Sequence, residues 1–193
     1  PLQLNLGHDR YVCALTSVVE AIKYYGAVAS IQLNHGGRQS PSAFIGGRRP
    51  IGPSAMTGQF VEDRRRPEET IEEMSPAMIE TVIDHFAAAA LRAKHAGFDM
   101  VMVHGGHGWL ISQFLSPLAN KRTDEYGGSI ANRMRFVVEV AQAVAVGIPD
   151  RYRGETVKVV IVPRNGVRLS VEEITAHCRR QLAVYKVPKI IEF

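Results

Sequence analysis

Apolar residues return at helical spacing from Tyr11 to Tyr25, where Leu15, Val18, Val19 and Ile22 form one stripe and Gly26 stands at the expected stop. The period then changes: the stretch from Val28 to Leu33 reads as a strand running into Asn34-His35-Gly36-Gly37-Arg38. From Gly36 to Met74 the chain is rich in Gly, Pro and Arg with little periodicity. Such a long connection is functional or carries a short hairpin of its own. The clearest helix follows. Ser75 caps it, Pro76 suits its first turn, and Ile79, Val82, Ile83, Phe86, Ala90 and Ala93 form one apolar face. Gly97 ends it, and Phe98 to Val103 is an apolar run rich in Val and Met, of the kind buried on both faces of a parallel sheet. Strand, helix, strand with a long crossover is a βαβ unit, which requires parallel strands.

A further helix is expected from about Ala131 to Val144, after which the pattern changes character. The run from Gly154 to Val162 is β-rich, and Asn165-Gly166 marks a turn. Ser170-Val-Glu-Glu173 is a capping box that opens a helix with Ile174, Cys178 and Leu182 on one face. Tyr185-Lys-Val-Pro188 breaks that helix, and a strand begins at Lys189. There are no internal repeats.

Composition narrows the class without naming a function. The chain has 193 residues, 46% hydrophobic and 22% charged, with a formal net charge of +4. That describes an ordinary soluble globular protein. Arg48-Arg49 and Arg64-Arg65-Arg66 sit in polar, loop-like sequence without interleaved aromatics, which argues against a nucleic-acid surface. Cys13 and Cys178 are too few for a disulfide framework, so a reducing, cytoplasmic setting is expected. No run reaches the length of a membrane span and no signal peptide is evident. The first residue, Pro1, suggests a fragment.

The candidate chemistry lies at strand ends. His104 and His107 follow the apolar run directly, set among Gly105, Gly106 and Gly108. The carboxyl end of a parallel strand is where α/β folds place their ligands, so a small-molecule site is expected. Taken alone, a His-x-x-His pair is more often structural, and its spacing also fits a chance metal site. No metal is assigned. His8, His35, His85, His95 and His177 read as surface or core histidines.

Several ordered motifs then converge. Gln32-Leu-Asn-His-Gly-Gly-Arg38, Phe86-Ala-Ala-Ala-Ala-Leu-Arg-Ala-Lys-His-Ala-Gly-Phe-Asp99 and His104-Gly-Gly-His-Gly-Trp-Leu110 resemble the Old Yellow Enzyme family of FMN-dependent ene-reductases. Gln113-Phe-Leu-Ser-Pro-Leu118, Arg122-Thr-Asp-Glu-Tyr-Gly-Gly-Ser129 and Asn132-Arg-Met-Arg-Phe136 continue the match in order, over about residues 10 to 140. The resemblance implies FMN, reduction by NAD(P)H and hydride delivery to an α,β-unsaturated carbonyl, a small-molecule enone. It gives His104 and His107 the role of paired donors to the carbonyl oxygen, and Gln32 that of a flavin-ring partner. Arg38, the arginine of the same motif, joins the cofactor-binding candidates. Trp109 replaces the tyrosine that many members use as proton donor. An indole N–H donates a hydrogen bond but is no usable acid, so protonation falls to water or another group. Arg122, Asp124 and Tyr126 read as residues that tie down a loop.

The remainder is similar to a different family. The stretches from Val146 to Lys158 and from Ala176 to Phe193 resemble the C-terminal lid domain of adenylate-forming acyl-CoA synthetases, with the switch inside Val138 to Val146. The expectation is a chimera: a partial TIM-barrel (β/α) fragment with parallel strands at 1–140, then a small α+β segment at 141–193. A complete barrel takes about 250 residues, and its phosphate site usually follows the seventh and eighth strands. Counterparts of the third and fourth strands alone are recognisable here, so impaired activity is expected. Unpaired strand edges favour self-association. Two alternatives stay open: a non-catalytic α/β module without cofactor, and a remnant of a synthetase lid. The lid's catalytic lysine would lie beyond Phe193, and Lys186 is not that residue.

Overall fold

A computed structural model describes residues 4–57, 69–145, 149–150, 154–155, 158–160, 170–181 and 190–192. The chain divides into two compact units, 1–143 and 144–193.

The first unit begins with helix α1, Val12–Tyr24, then strand β1, Ser30–Leu33. Leu15 and Val19 of α1 are buried, whereas Val18 is exposed, so the apolar stripe is narrower than its sequence suggests. The long connection does carry strands of its own: β2 (Ile51–Gly52), β3 (Met56–Thr57) and β4 (Thr70–Glu73). β4 lies between the other two, parallel to β2 and antiparallel to β3. The Arg64-Arg65-Arg66 cluster lies outside the described residues.

Helix α2, Pro76–His95, starts as the sequence dictates. The Ser75 hydroxyl accepts the Met78 N–H at 3.2 Å, and Pro76 occupies the first turn. Ile79, Val82, Phe86 and Ala93 form its buried face. Strand β5, Met100–Val103, then pairs in parallel with β1, with Gln32 beside Met102 and Leu33 beside Val103. Lys23 and Asp99 fasten the opposite end of this βαβ unit. The Lys23 ammonium donates to Gly97 O and to Asp99 Oδ1, both at 2.7 Å, while Asp99 Oδ2 accepts the Ala29 N–H at 2.9 Å. Lys23 and then the Ala29 amide hold the Asp99 carboxyl below its ordinary range.

One expectation needs correction. β5 is not buried on both faces: Met100 is 36% exposed and Met102 49%. Successive strand residues point to opposite faces, and here one face is covered while the other is open. Leu33 is buried and Ile31, Val101 and Val103 are partly so, whereas Ser30 and Gln32 share the exposed face with the two methionines. Among the described residues this sheet has two strands, so nothing in it closes over that face.

Two more helices complete the unit: α3, Leu110–Leu115, which the sequence left unassigned, and α4, Ile130–Val144. Phe114 of α3 and Phe136 of α4 are fully buried with ring centroids 4.3 Å apart, and Tyr126 meets Phe114 edge-on at 6.3 Å. Arg122 does tie down the intervening loop. Its guanidinium donates to Pro53 O at 3.0 Å, to Met74 O at 2.6 Å and to Asp124 Oδ1 at 3.0 Å.

In the second unit β6 (Pro149–Asp150) pairs antiparallel with β7 (Gly154–Glu155). β8 (Lys158–Val160) pairs in parallel with β9 (Ile190–Glu192), with helix α5 (Val171–Gln181) between them in sequence. The capping box closes as expected: Glu173 N donates to Ser170 Oγ at 3.1 Å and Ser170 N to Glu173 Oε2 at 2.8 Å. Asn165-Gly166, Leu182 and the stretch from Tyr185 to Pro188 lie outside the described residues. Among the described residues no helix is long and apolar enough to cross a membrane.

Candidate active site

Parallel pairing brings the carboxyl ends of β1 and β5 side by side. The ladder continues one residue beyond them, with His104 N donating to Leu33 O at 2.9 Å. The segment after β1 (Asn34 to Gln39) therefore runs beside the segment after β5 (His104 to Trp109), and every candidate residue except Gln32 lies in one or the other. Gln32 is exposed on the open face of β1, two residues before Asn34.

The two histidines do come together. His107 Nδ1 lies 3.2 Å from His104 Nε2, and the rings are near parallel, 7° apart, with centroids separated by 5.1 Å. Trp109 meets His104 edge-on at 6.4 Å. One ring nitrogen must donate and the other accept, which leaves His104 Nδ1 and His107 Nε2 for a ligand. Proton counting then constrains the chemistry. Two outward donors plus the mutual hydrogen bond take three N–H groups, one more than two neutral imidazoles carry. For both rings to donate to one ligand oxygen, the pair gives up its mutual bond and each neutral imidazole turns one N–H toward that oxygen.

Arg38 is placed differently from the histidines. Its guanidinium reaches Met56 Sδ at 3.6 Å, while its backbone N–H donates to Gln113 Oε1 at 3.2 Å. Arg38 thus reaches the β3 side of the site. Among the described residues the Asn34 side-chain oxygen is buried without a hydrogen-bond partner. An orphaned acceptor, one residue past the end of β1, marks a place where a donor belongs.

His35 is held in its neutral form. Its Nδ1 accepts the Gly37 N–H at 3.0 Å and its carbonyl accepts the Leu110 N–H at 3.0 Å. Burial, with a smaller contribution from the charge of His85, pushes its pKa down to about 4. Its ring bonds within its own segment while its backbone carbonyl links the two segments, which agrees with the reading of His35 as a surface or core histidine.

Sequence reasoning missed Gln113. This residue of α3 is 1% exposed. Its amide nitrogen donates to Gly108 O at 2.7 Å and Gly36 O at 3.3 Å, so it clamps both strand-end segments. The clamp leaves no room at Gly37, where a Cβ would stand 2.5 Å from Gln113 Oε1 and φ is already +56°. One signal was available: a polar residue at a buried helical position, between Leu110, Ile111 and Phe114. Among the described residues no cluster of three or more His, Cys, Asp and Glu side chains could hold a metal ion.

Parallel strands joined through a helix, with paired histidines at their carboxyl ends, define a (β/α)-barrel type of small-molecule site. The chain belongs to the NADH:flavin oxidoreductase / NADH oxidase family, whose model matches residues 1–178. That match extends past the Val138 to Val146 switch expected from the sequence. The chain is 40% identical over 150 residues to an NADH oxidase of Thermoanaerobacter brockii, covering 78% of this chain and 22% of the relative. It is 43% identical over 141 residues to an NADPH dehydrogenase of Clostridium acetobutylicum, covering 73% of this chain and 39% of the relative. Among solved structures, morphinone reductase in complex with tetrahydroNAD superposes with a TM-score of 0.67 at 38% identity, over 73% of this chain and 42% of that one. An Old Yellow Enzyme from a Pichia species gives a TM-score of 0.65 at 37% identity, over 72% of this chain and 37% of that one. The chain thus spans between about a fifth and two fifths of the length of these relatives.

Proposed function

We propose that this chain carries the carbonyl-holding part of an FMN-dependent oxidoreductase that uses NAD(P)H to reduce an α,β-unsaturated carbonyl. The observation that carries the reading is the His104–His107 pair, 3.2 Å apart in the segment that follows β5, at the carboxyl end of the parallel β1–β5 pair. Family membership supports it. The residues present fit a flavin on chemical grounds. Gln32 offers an amide donor and acceptor on the open face of β1, Met100 and Met102 offer apolar area beside it, and the orphaned Asn34 oxygen lacks a donor. Arg38 adds a cationic group on the β3 side. A reduced flavin supplies hydride when bound.

The chain's own part is to hold the carbonyl and stabilise the charge that grows on its oxygen. Donors fixed in advance toward that oxygen act as an oxyanion hole, worth about 3–4 kcal/mol for a single donor in a dry site. Trp109 meets His104 by edge contact, and its indole N–H does not serve as the acid.

The test starts with an FMN titration of the whole chain, read by flavin fluorescence. Saturable binding is expected, followed by a long-wavelength charge-transfer band when a phenol is added. His104→Ala combined with His107→Ala should abolish that band and leave FMN binding in place. An unchanged band refutes the paired-donor role, and no binding at high micromolar FMN refutes the reading as a whole.

For the second unit the lid reading continues as a proposal. Its support is the motif resemblance, together with the division of the chain at 143/144. Self-association likewise draws support from the outer edges of β1 and β5, each without a partner strand among the described residues.

A further inference from the structure

His107 has φ of 54° and is the one residue other than glycine in that region among those described. A left-handed backbone is unfavourable for histidine unless its neighbours impose it. Two amides converge there. Gln39 Nε2 donates to His107 O at 3.2 Å and to Gly108 O at 3.1 Å. Gln113 Nε2 donates to Gly108 O at 2.7 Å, while its oxygen accepts the Arg38 N–H at 3.2 Å. One amide comes from the segment after β1 and the other from α3. Gln39 grips the peptide unit on the carbonyl side of His107, and both amides grip the one after it, which fixes where that stretch of backbone runs.

We propose that Gln39 and Gln113 are positioning residues that fix His107 in its left-handed conformation and thereby keep its imidazole against that of His104. This rests on the paired-donor reading of the two histidines. The amides donate to backbone carbonyls and act through His107. A packing role alone would fill the space between segments without any effect on the relation between the rings. The positioning role makes the mutual bond of the imidazoles depend on amides that the rings do not touch.

The experiment uses the whole chain, without flavin, with its histidines labelled with nitrogen-15 and read in long-range proton–nitrogen spectra. In the parent chain, replacing either His104 or His107 by alanine should displace the ring-nitrogen resonances of the other. In Gln39→Ala, and in Gln39→Glu, which keeps the length but turns a carboxylate toward two carbonyls, that mutual dependence should be lost. His85 and His95, on α2, should stay in place and report an intact fold. Gln113→Met, which removes every hydrogen bond of the clamp at similar volume, should give the same loss. If that variant displaces the α2 histidines and so fails to fold, the Gln39 variants decide. Mutual dependence that persists in the variants with the α2 histidines unmoved overturns the proposal, as does its absence from the parent chain. Loss in Gln113→Met alone overturns the part given to Gln39. A chain that binds no FMN would defeat the functional reading but leave this result standing.

Discussion

Replacing Arg122 by methionine should destabilise the first unit by about 3–5 kcal/mol. The side chain is 4% exposed, and methionine keeps most of its apolar stem. Cavity formation is therefore a minor part of the cost, and the loss comes from hydrogen bonds. Pro53 O and Met74 O, accepting at 3.0 and 2.6 Å, would be left unpaired at about 1–3 kcal/mol each. Asp124, a third exposed, would recover much of its solvation, so its share is smaller. Against a domain stability of about 5–15 kcal/mol this removes a large fraction. Acid supplies a second signature. Arg122, first by hydrogen bonding, holds the Asp124 carboxyl below its ordinary range. A depressed carboxylate contributes stability that is present above the usual range and is lost as pH falls through its lowered value. The gap between parent and variant should therefore narrow in acid. Urea unfolding followed by Trp109, the single tryptophan, measures both. A loss below about 1 kcal/mol, or a gap that stays constant into acid, would refute the reasoning.

His35 should make the fold acid-sensitive. Its pKa is lowered from 6.5 to about 4, so stability is complete above the upper value and falls by about 3 kcal/mol as pH descends to the lower one; a flat unfolding profile over that window refutes this. Gly37→Ala should cost more than Gly26→Ala, because both have positive φ but only the first places a Cβ against Gln113, at 2.5 Å. The Gly26 change should cost about 1 kcal/mol and the Gly37 change about 2–4 kcal/mol, since hydrogen bonds of the clamp go with it; equal losses in urea unfolding would refute the clamp. If the chain is a chimera, limited proteolysis should cut first near residues 138–146 and release two resistant pieces. A single protected core across that stretch counts against it.

What the sequence reveals and what it hides follow from range. Ser75 with Pro76, and Ser170 with Glu173, act within one turn, so their caps are legible and form as expected. The helical stripe of α2 is equally local. The pairing of β1 with β5 is reachable because a helix of that length between two apolar runs leaves few other topologies. Burial of β5 is not local. The same Val and Met run reads as covered on both faces, yet which face is open depends on neighbours the run does not encode. Gln39 and Gln113 stay hidden for the same reason: their carbonyl partners become neighbours only after both strand ends align. Arg122 was easier to read, because Asp124, two residues away, announces the ion pair.

The geometry also links two requirements that look separate. The imidazole pair stands at the rim of the face on which Met100 and Met102 lie open. Hydrogen-bond donors lose most of their electrostatic value in water, where the effective dielectric is high. On the proposed positioning, a pair fixed by Gln39 and Gln113 is preorganised in position but not yet in environment. A planar partner that covers the two methionines, on the proposed reading, gains apolar contact and also shields the adjoining histidines from water. Ligand binding on that face and strengthening of the proposed donors are then one step. The amide clamp, on the proposed positioning, makes it effective, because rings that start 3.2 Å apart need little movement to exchange their mutual bond for two bonds to a ligand oxygen.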